Sequence, residues 1–332
     1  MPLTPPNRRI TAQDIAALAG VSRSAVSRAF TDGAYIDPDK RARILQAAEE
    51  LGYRPNALAA GLQGGRSNLV AIFVGEIANE YDNEVTAALV AGLNRIGKWP
   101  IVISGSGAAA RDAVHKVLSY PLDAMILRSG SLDEAIVSQC SKLNIPVISS
   151  GRVLDLPRVD NVCCRNQLGT ELATTLLLER GRRQFGFIAG PAHYASSEGR
   201  RAGVVAALAT VGQSLAFEAM GNFSVQSGFD AALLIPAEAK LDALICANDA
   251  MAIGALSALQ QLGRRVAQDI SVIGFDNIAM AAWPAFGLTT VRNPIDELVA
   301  AVLRLLEARI TAPERPAETI YLTPSLVLRQ SH

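Results

Sequence analysis

The sequence predicts an α/β protein in which an N-terminal three-helix unit with a helix-turn-helix outline precedes a two-lobed core of doubly wound parallel sheets. Three observations carry this. Helix caps and turn glycines punctuate the first fifty residues, short apolar runs alternate with helical stretches thereafter, and 332 residues is about two domains' worth of chain at roughly 150 residues per domain.

Composition sets the class. With 50% apolar and 19% charged residues the chain can bury a sizeable core and does not read as disordered. No stretch approaches the ~20 apolar residues of a membrane span. The start, residues 1–10, carries three prolines and two arginines and no apolar signal-peptide region, so a cytoplasmic protein is expected. Cys140, Cys163, Cys164 and Cys246 have neither Cys-x-x-Cys spacing nor the density of a disulfide framework, which predicts reduced thiols and no structural zinc. The net charge is zero, 31 basic against 31 acidic residues, but the balance is local. Through Arg66 nine basic and six acidic residues give +3, and the remaining 22 and 25 give −3, pointing to a different partner for the N-terminal part.

In the first segment Thr11 and Asp14 form a variant capping box, and Ile15, Leu18 and Ala19 share one helical face before Gly20 ends the run. Ser22 caps a second helix through Phe30, with Val21 and Val26 spaced as a hydrophobic staple. Val26 and Ala29 then face inward, while Arg23, Ser24, Ser27 and Arg28 lie on the opposite side, the outline of a helix-turn-helix whose second helix meets DNA. Asp37 and Pro38 open a third helix that turns Ile44, Leu45, Ala48 and Leu51 toward the other two until Gly52. From the helix pattern alone, a small bundle with solvated Arg and Ser on one face is the competing reading.

From Asn68 the texture changes. Residues 69–75, 101–104, 124–128, 146–150, 185–190, 243–247 and 270–275 are short runs rich in Val and Ile, most of them followed by Gly, Ser, Asn or Asp, as in buried parallel sheet. About 265 residues of such units exceed one comfortable sheet, so two lobes are expected, with a ligand cleft at the carboxyl ends of their strands.

Several motifs in order then become specific. Residues 10–16 (ITAQDIA), 20–22 (GVS), 25–28 (AVSR) and 51–59 (LGYRPNALA) resemble the lactose-repressor (LacI/GalR) family of bacterial transcription regulators. The resemblance continues in 188–191 (IAGP), 200–203 (RRAG), 247–254 (ANDAMAIG), 272–276 (VIGFD) and 288–292 (LTTVR), and so covers nearly the whole chain. It implies that the second helix enters the major groove, with Arg23, Ser24 and Arg28 on bases or phosphates and Ser22 and Ser27 on the phosphate side. It also implies a hinge beginning at Asn56, with Ala59 in it and Leu62 aligned to a leucine that wedges between base pairs. Leu62 has a second reading, as a linker residue packed on the next domain. The implied core resembles periplasmic binding proteins and divides discontinuously. The expected domains are 1–55 (headpiece), 56–66 (hinge) and 67–332 (effector-binding and dimerisation core). Within the core, lobe one is about 67–163 plus 293–320 and lobe two about 164–292 plus 321–332.

By the same match Arg200, Asn248 and Asp276 line the effector cleft, although Asn248 and Asp249 read equally as caps of the helix that follows. Residues 75–82 (GEIANEYD) depart from the family's usual Pro-Phe-Phe pattern and place Tyr81 at a more polar mouth. Arg165 stands where the family commonly has an acid. Arg128 and Arg152 also follow strands, so up to four guanidiniums converge with Arg200, suiting an anionic effector such as a sugar acid or sugar phosphate. Neutralisation by Glu76, Asp155 or Asp160 is the alternative, and it leaves room for a neutral sugar.

Enzyme motifs fail on inspection. Residues 92–98 follow most of a P-loop, but Trp99 occupies the magnesium-binding position. Residues 105–110 resemble a dinucleotide fingerprint without its ribose-binding acid and read as a loop. His115, His193 and His332 are scattered, and Asp133–Glu134 and Asp296–Glu297 are adjacent pairs on helices that point different ways. The expectation is a DNA-binding regulator, most readily a repressor. It acts as a homodimer on double-stranded palindromic operator DNA under a small-molecule effector (sugar, sugar acid or sugar phosphate), with no membrane partner, cofactor, metal or catalytic residue. A two-lobed solute-binding receptor is the alternative.

Overall fold

The computed structural model describes residues 8–31, 33–55, 66–77, 79–128, 134–192 and 194–332. The chain separates into two compact units, Met1–Ser67 and Asn68–His332.

In the first unit, α1 (Ala12–Ala19) begins where Thr11 accepts a hydrogen bond from the Asp14 amide and the Asp14 carboxylate accepts from the Thr11 amide. The Thr11 hydroxyl, donating to the Asp14 carboxylate at 2.7 Å, and then the Thr11 amide hold that carboxyl down at about 2. Gly20, at φ 65°, supplies the left-handed residue that ends the helix. Ser22 caps α2 (Arg23–Ala29), and Asp37 caps α3 (Pro38–Glu50) with Pro38 in its first turn. Ile15, Ala16, Ala19, Val26, Ala29, Ile44, Ala47 and Ala48 form the common core, with Val21, Leu51 and Tyr53 against it. Leu18 and Leu45, expected inward, are exposed at 49% and 45%. Ala16 and Ala47, two positions away and therefore on the opposite helix faces, are buried in their place.

The second unit holds two six-stranded sheets. The first comprises β1 (Leu69–Gly75), β2 (Trp99–Ser104), β3 (Ala124–Arg128), β4 (Val147–Ser150), β5 (Val159–Cys164) and a late strand, β11 (Thr319–Leu322). Its order is β2-β1-β3-β4-β5-β11, with every pairing parallel. The second comprises β6 (Phe185–Ala189), β7 (Phe217–Met220), β8 (Ala243–Cys246), β9 (Ser271–Asp276), β10 (Thr289–Arg292) and β12 (Ser325–Val327). It repeats the order, β7-β6-β8-β9-β10-β12, and only β12 is antiparallel. In each sheet the order reverses beside its first strand, which opens a crevice at the carboxyl ends.

Helices cover these sheets: α4 (Glu80–Arg95), α5 (Gly107–Val117), α6 (Glu134–Lys142), α7 (Asn166–Glu179), α8 (Ala195–Ala209), α9 (Val225–Leu233), α10 (Asp249–Gln261) and α11 (Ile295–Thr311). Alternation along β1 shows why both faces need cover, since Val70, Ile72 and Val74 enter one core while Ala71 and Phe73 enter another. The chain changes sheets three times. It leaves β5 through α7, which packs on the second sheet; it leaves β10 through α11, which packs on α4, β4 and β5; and it passes from β11 directly to β12. The strand of lobe one thus runs through Leu322, past the division expected at residue 320.

Two rejected motifs acquire structural roles. Gly92 is a packing glycine, where a Cβ would lie 2.9 Å from Leu303 of α11, and the Lys98 ammonium is held by Asp123 at 2.8 Å and Asn68 at 2.9 Å. Residues 107–110, expected as loop, open α5, because the alanines after Gly107 are good helix formers.

Deep in the first lobe, Asp160 accepts two bonds of 2.9 Å from Arg309 and one of 2.8 Å from the Glu318 amide, and Arg315 lies 2.8 Å away. Arg309 and Asp160 are 1% and 0% exposed. Breaking such a pair strands the remaining charge, so Asp160→Ala should lower the unfolding free energy of the core by about 3–5 kcal/mol. Urea denaturation followed by circular dichroism measures this, and a loss under about 1 kcal/mol would contradict it.

Candidate functional site

The first candidate surface is the outer face of α2. Ser22, Arg23, Ser24, Ser27 and Arg28 are all exposed, opposite buried Ala25, Val26 and Ala29. The Ser22 hydroxyl caps the helix and shares a 2.9 Å hydrogen bond with Ser24, and Arg28 leans back to the Ser24 carbonyl. The face therefore presents two guanidiniums and three hydroxyls beside a helix start, the donors that contact phosphates and base edges. Asn56, Ala59 and Leu62 lie outside the described residues.

The second is the cleft where the carboxyl ends of the two sheets meet, enclosing about 820 Å³ including its open mouth. Tyr81, Arg128, Arg152, Arg200, Asn248 and Asp276 all line it. Topology explains the convergence. Arg128 ends β3 and Arg152 follows β4, while Asn248 follows β8 and Asp276 ends β9. Tyr81 sits in the first turn of α4, whose cap Asn79 accepts from the Asp82 amide at 3.1 Å.

Arg200 is the most constrained of these residues. Its Nε donates to Asn166 Oδ1 at 2.9 Å, Nη1 to the Ala247 carbonyl at 2.5 Å and Nη2 to Asp276 Oδ1 at 3.0 Å. The guanidinium lies 3.7 Å from the centroid of the Phe275 ring, a cation–π contact strengthened by burial. Asp276 also accepts from Asn293 at 3.2 Å. Burial outweighs the neighbouring Arg200 and pushes the Asp276 carboxyl up to about 6. Its φ of 115° is a conformation that non-glycine residues rarely adopt, and the surrounding bonds hold it there.

Behind it, Asp249 is completely buried, accepting from Thr290 at 2.5 Å and the Ile278 amide at 2.9 Å. Burial, then the charge of Asp276, raises its carboxyl to about 8. Gly274 makes room for it, since a Cβ there would lie 2.2 Å from Asp249 Oδ1.

Three of the four expected arginines, Arg128, Arg152 and Arg200, line the cleft together, and Arg165 does not. Arg165, at the cap position of α7, stacks on Tyr321 at 5.2 Å and lines a neighbouring groove instead of the cleft. Arg128 faces Asp82 at 3.2 Å. Of the proposed neutralising acids, Glu76 lines the cleft and accepts from Ser106, Asp160 serves Arg309 and Arg315, and Asp155 is not among the lining residues. Asn248 fulfils its capping alternative, accepting from the Met251 amide and donating to the Phe223 carbonyl, both at 3.0 Å, while still lining the cleft. Sequence reasoning missed Ser150, Asn166 and Asn293. Ser150 ends a strand that was expected, so position alone would have found it, but Asn293 follows β10, whose TTVR carries no apolar run.

Burial raises the Cys164 thiol to about 12, far from a nucleophile's range. Among the described residues no cluster of His, Cys, Asp and Glu is placed to hold a metal ion, and no helix is long and apolar enough to cross a membrane.

Comparison with known proteins accords with this two-part arrangement. Residues 11–56 match the family model "Bacterial regulatory proteins, lacI family", and residues 174–332 match "Periplasmic binding protein-like domain". The chain is 30% identical over 326 residues to the Probable HTH-type transcriptional repressor ExuR of Bacillus subtilis (strain 168), covering 97% of this chain and 98% of that protein. A Lac repressor dimer bound to operator and the anti-inducer ONPF superposes with a TM-score of 0.85 at 27% identity, over 98% and 99% of the two chains. A complex of the transcriptional regulator CelR with cellobiose gives 0.73 at 28% identity, over 98% and 100%.

The buried acids give a pH dependence of definite sign. Between the ordinary value of 3.8 and about 8 the folded chain retains on Asp249 a proton that the unfolded chain has released, so stability must fall as pH rises through that window. Asp249→Asn keeps the shape and cannot ionise. From pH 6 to 8.5 its unfolding free energy, measured by urea denaturation, should fall less than that of the parent, a difference of about 1–3 kcal/mol, and parallel profiles would rule out a protonated Asp249.

Proposed function

The chain belongs to the lacI family of bacterial regulatory proteins, and from that premise we propose a repressor that binds a palindromic operator as a homodimer under the control of a small carbohydrate-like effector held in the interlobe cleft. The observation that carries the reading is the union, in one chain, of an exposed Arg and Ser helix face with a cleft built from the strand ends of two lobes. The operator-bound Lac repressor dimer and the cellobiose-bound CelR among its structural relatives support both halves. Residues 1–55 are the DNA-binding headpiece, 56–66 the hinge and 67–332 the core. Arg23, Ser24 and Arg28 read the major groove, Ser22 and Ser27 hold phosphates, and Asn56, Ala59 and Leu62 engage the minor groove. The protein works in the cytoplasm, where the bacterial chromosome lies, and performs no catalysis.

Tyr81, Arg128, Arg152, Arg200, Asn248 and Asp276 hold the effector, and closure of the lobes on it alters how two hinges approach one operator. The effector shifts DNA affinity only by the difference in its own affinity for the two lobe arrangements. A 100-fold switch therefore requires about 2.8 kcal/mol of coupling.

Removing residues 1–62 should abolish operator binding in a fluorescence anisotropy titration and leave a cooperative thermal transition of the core. Retained operator affinity would reject the headpiece assignment. In the full chain, Arg23→Ala should weaken binding to the operator, selected from a random duplex pool, by roughly 5- to 100-fold. The loss should be smaller on unrelated duplex, and equal losses would mean that Arg23 contacts phosphate alone.

A further inference from the structure

We propose that the ligand of the cleft is a neutral polyhydroxylated molecule, held by a trio of uncharged contacts, Tyr81, Ser150 and Asn293, that becomes satisfied only when the ligand is bound. The inference rests on the reading of the cleft as the effector site and specifies the chemistry of that site. Two independent observations carry it.

The first is a set of orphaned polar atoms. Tyr81 Oη, Ser150 Oγ and Asn293 Oδ1 are buried without a hydrogen-bond partner. Their residues are 7%, 2% and 6% exposed, and all three line the cleft. Buried polar atoms are ordinarily paired, and three unpaired in one cavity mark the places where a ligand supplies the partner. The orientation of the Asn293 amide is set by its neighbour. Its Nδ2 donates to Asp276 Oδ1 at 3.2 Å, whereas the flipped amide would set oxygen against carboxylate. Oδ1 must therefore receive a proton from the ligand, while the Tyr81 and Ser150 hydroxyls either give or receive one. A group that donates to an amide oxygen and exchanges hydrogen bonds with two hydroxyls is itself a set of hydroxyls.

The second is the charge balance. Among the described lining residues the guanidiniums are Arg128, Arg152 and Arg200 and the carboxylates are Glu76, Asp82 and Asp276, three against three. Arg128 already faces Asp82 at 3.2 Å and Arg200 faces Asp276 at 3.0 Å. A carboxylate or phosphate that pairs with Arg128 or Arg200 must displace one of those acids and leave it desolvated beside the newcomer. A neutral polyol requires no such exchange, and its hydroxyls meet the three orphaned atoms directly.

The test uses the full-length chain and matched probes: a panel of neutral hexoses, pentoses and sugar alcohols, with the uronic acids and 6-phosphates of the same hexoses, scored by thermal shift and then by calorimetry. The expected result is stabilisation by at least one neutral compound, with its charged counterparts binding at least tenfold more weakly. Charged counterparts that bind equally or more tightly overturn the proposal but preserve the effector site, and silence across every probe overturns both.

Ser150→Ala distinguishes a ligand contact from a structural residue. Because that hydroxyl has no partner in the ligand-free protein, its removal should leave the melting temperature unchanged or higher, while binding of the stabilising neutral compound weakens roughly tenfold. A lowered melting temperature with unchanged affinity overturns the assignment. Asp82→Asn frees Arg128, and the charged counterparts should then gain affinity by roughly tenfold over the parent chain. No gain would show that the internal pairing does not set the charge preference.

Discussion

The guanidinium of Arg200 organises the cleft. It bonds the start of α7, the end of β8 and the end of β9 through Asn166, Ala247 and Asp276, with its plane against Phe275. A buried cation tolerates no vacancy in its shell, so these three elements must end at positions compatible with one planar group. That constraint explains why Asp276 stays at φ 115° and why Asn166 faces the cleft as the chain crosses from one lobe to the other. The stacked guanidinium is therefore also a joint, since α7 carries the first of the three crossovers.

Charge is handled differently in the two lobes. In the first, Asp160 is saturated by Arg309, Arg315 and a backbone amide away from the cleft, a structural knot tying α11 to β5. In the second, Asp276 and Asp249 lie in series behind Arg200 and share too little positive charge, so burial raises both carboxyls. Groups held away from their ordinary ionisation gather where a site must respond to what enters it. The knot thus lies away from the cleft, whereas Asp276 lines it with Asp249 behind.

The headpiece is governed by a simpler rule. Its core is mostly alanine, with Ile15, Val26 and Ile44 as the larger buried residues, and small residues let three short helices approach closely enough to bury a common face. Close packing leaves α2 little choice about which side meets solvent, and that side carries the arginines and serines. Membership of the lacI family joins this unit to the two-sheet core as the reading and sensing parts of one regulator.

The local signals were legible because their physics is local. Caps at Thr11, Ser22 and Asp37, the left-handed glycines and the apolar strands such as β1, β3 and β8 depend on neighbours within a few residues. Arg128 and Arg152 were legible as residues that follow strands, because strand ends in doubly wound sheets meet at one crevice, whereas Arg200, Asn248 and Asp276 rested on the family resemblance. What escaped depends on distant partners. β5 was unreadable because Asp160 and Asn161 are polar, and only Arg309, 149 positions away, and the backbone of Leu154 make them buried. Arg165 was expected in the cleft and instead stacks on Tyr321, a partner 156 positions away and so invisible to a local pattern. Sequence brought Tyr81, Arg128, Arg152, Arg200, Asn248 and Asp276 to the cleft; the tertiary structure turned Arg165 away from it, added Ser150, Asn166 and Asn293 and decided which charges are already paired, because the pairing energy of a charge is set by the groups that packing brings beside it and by how much water packing removes.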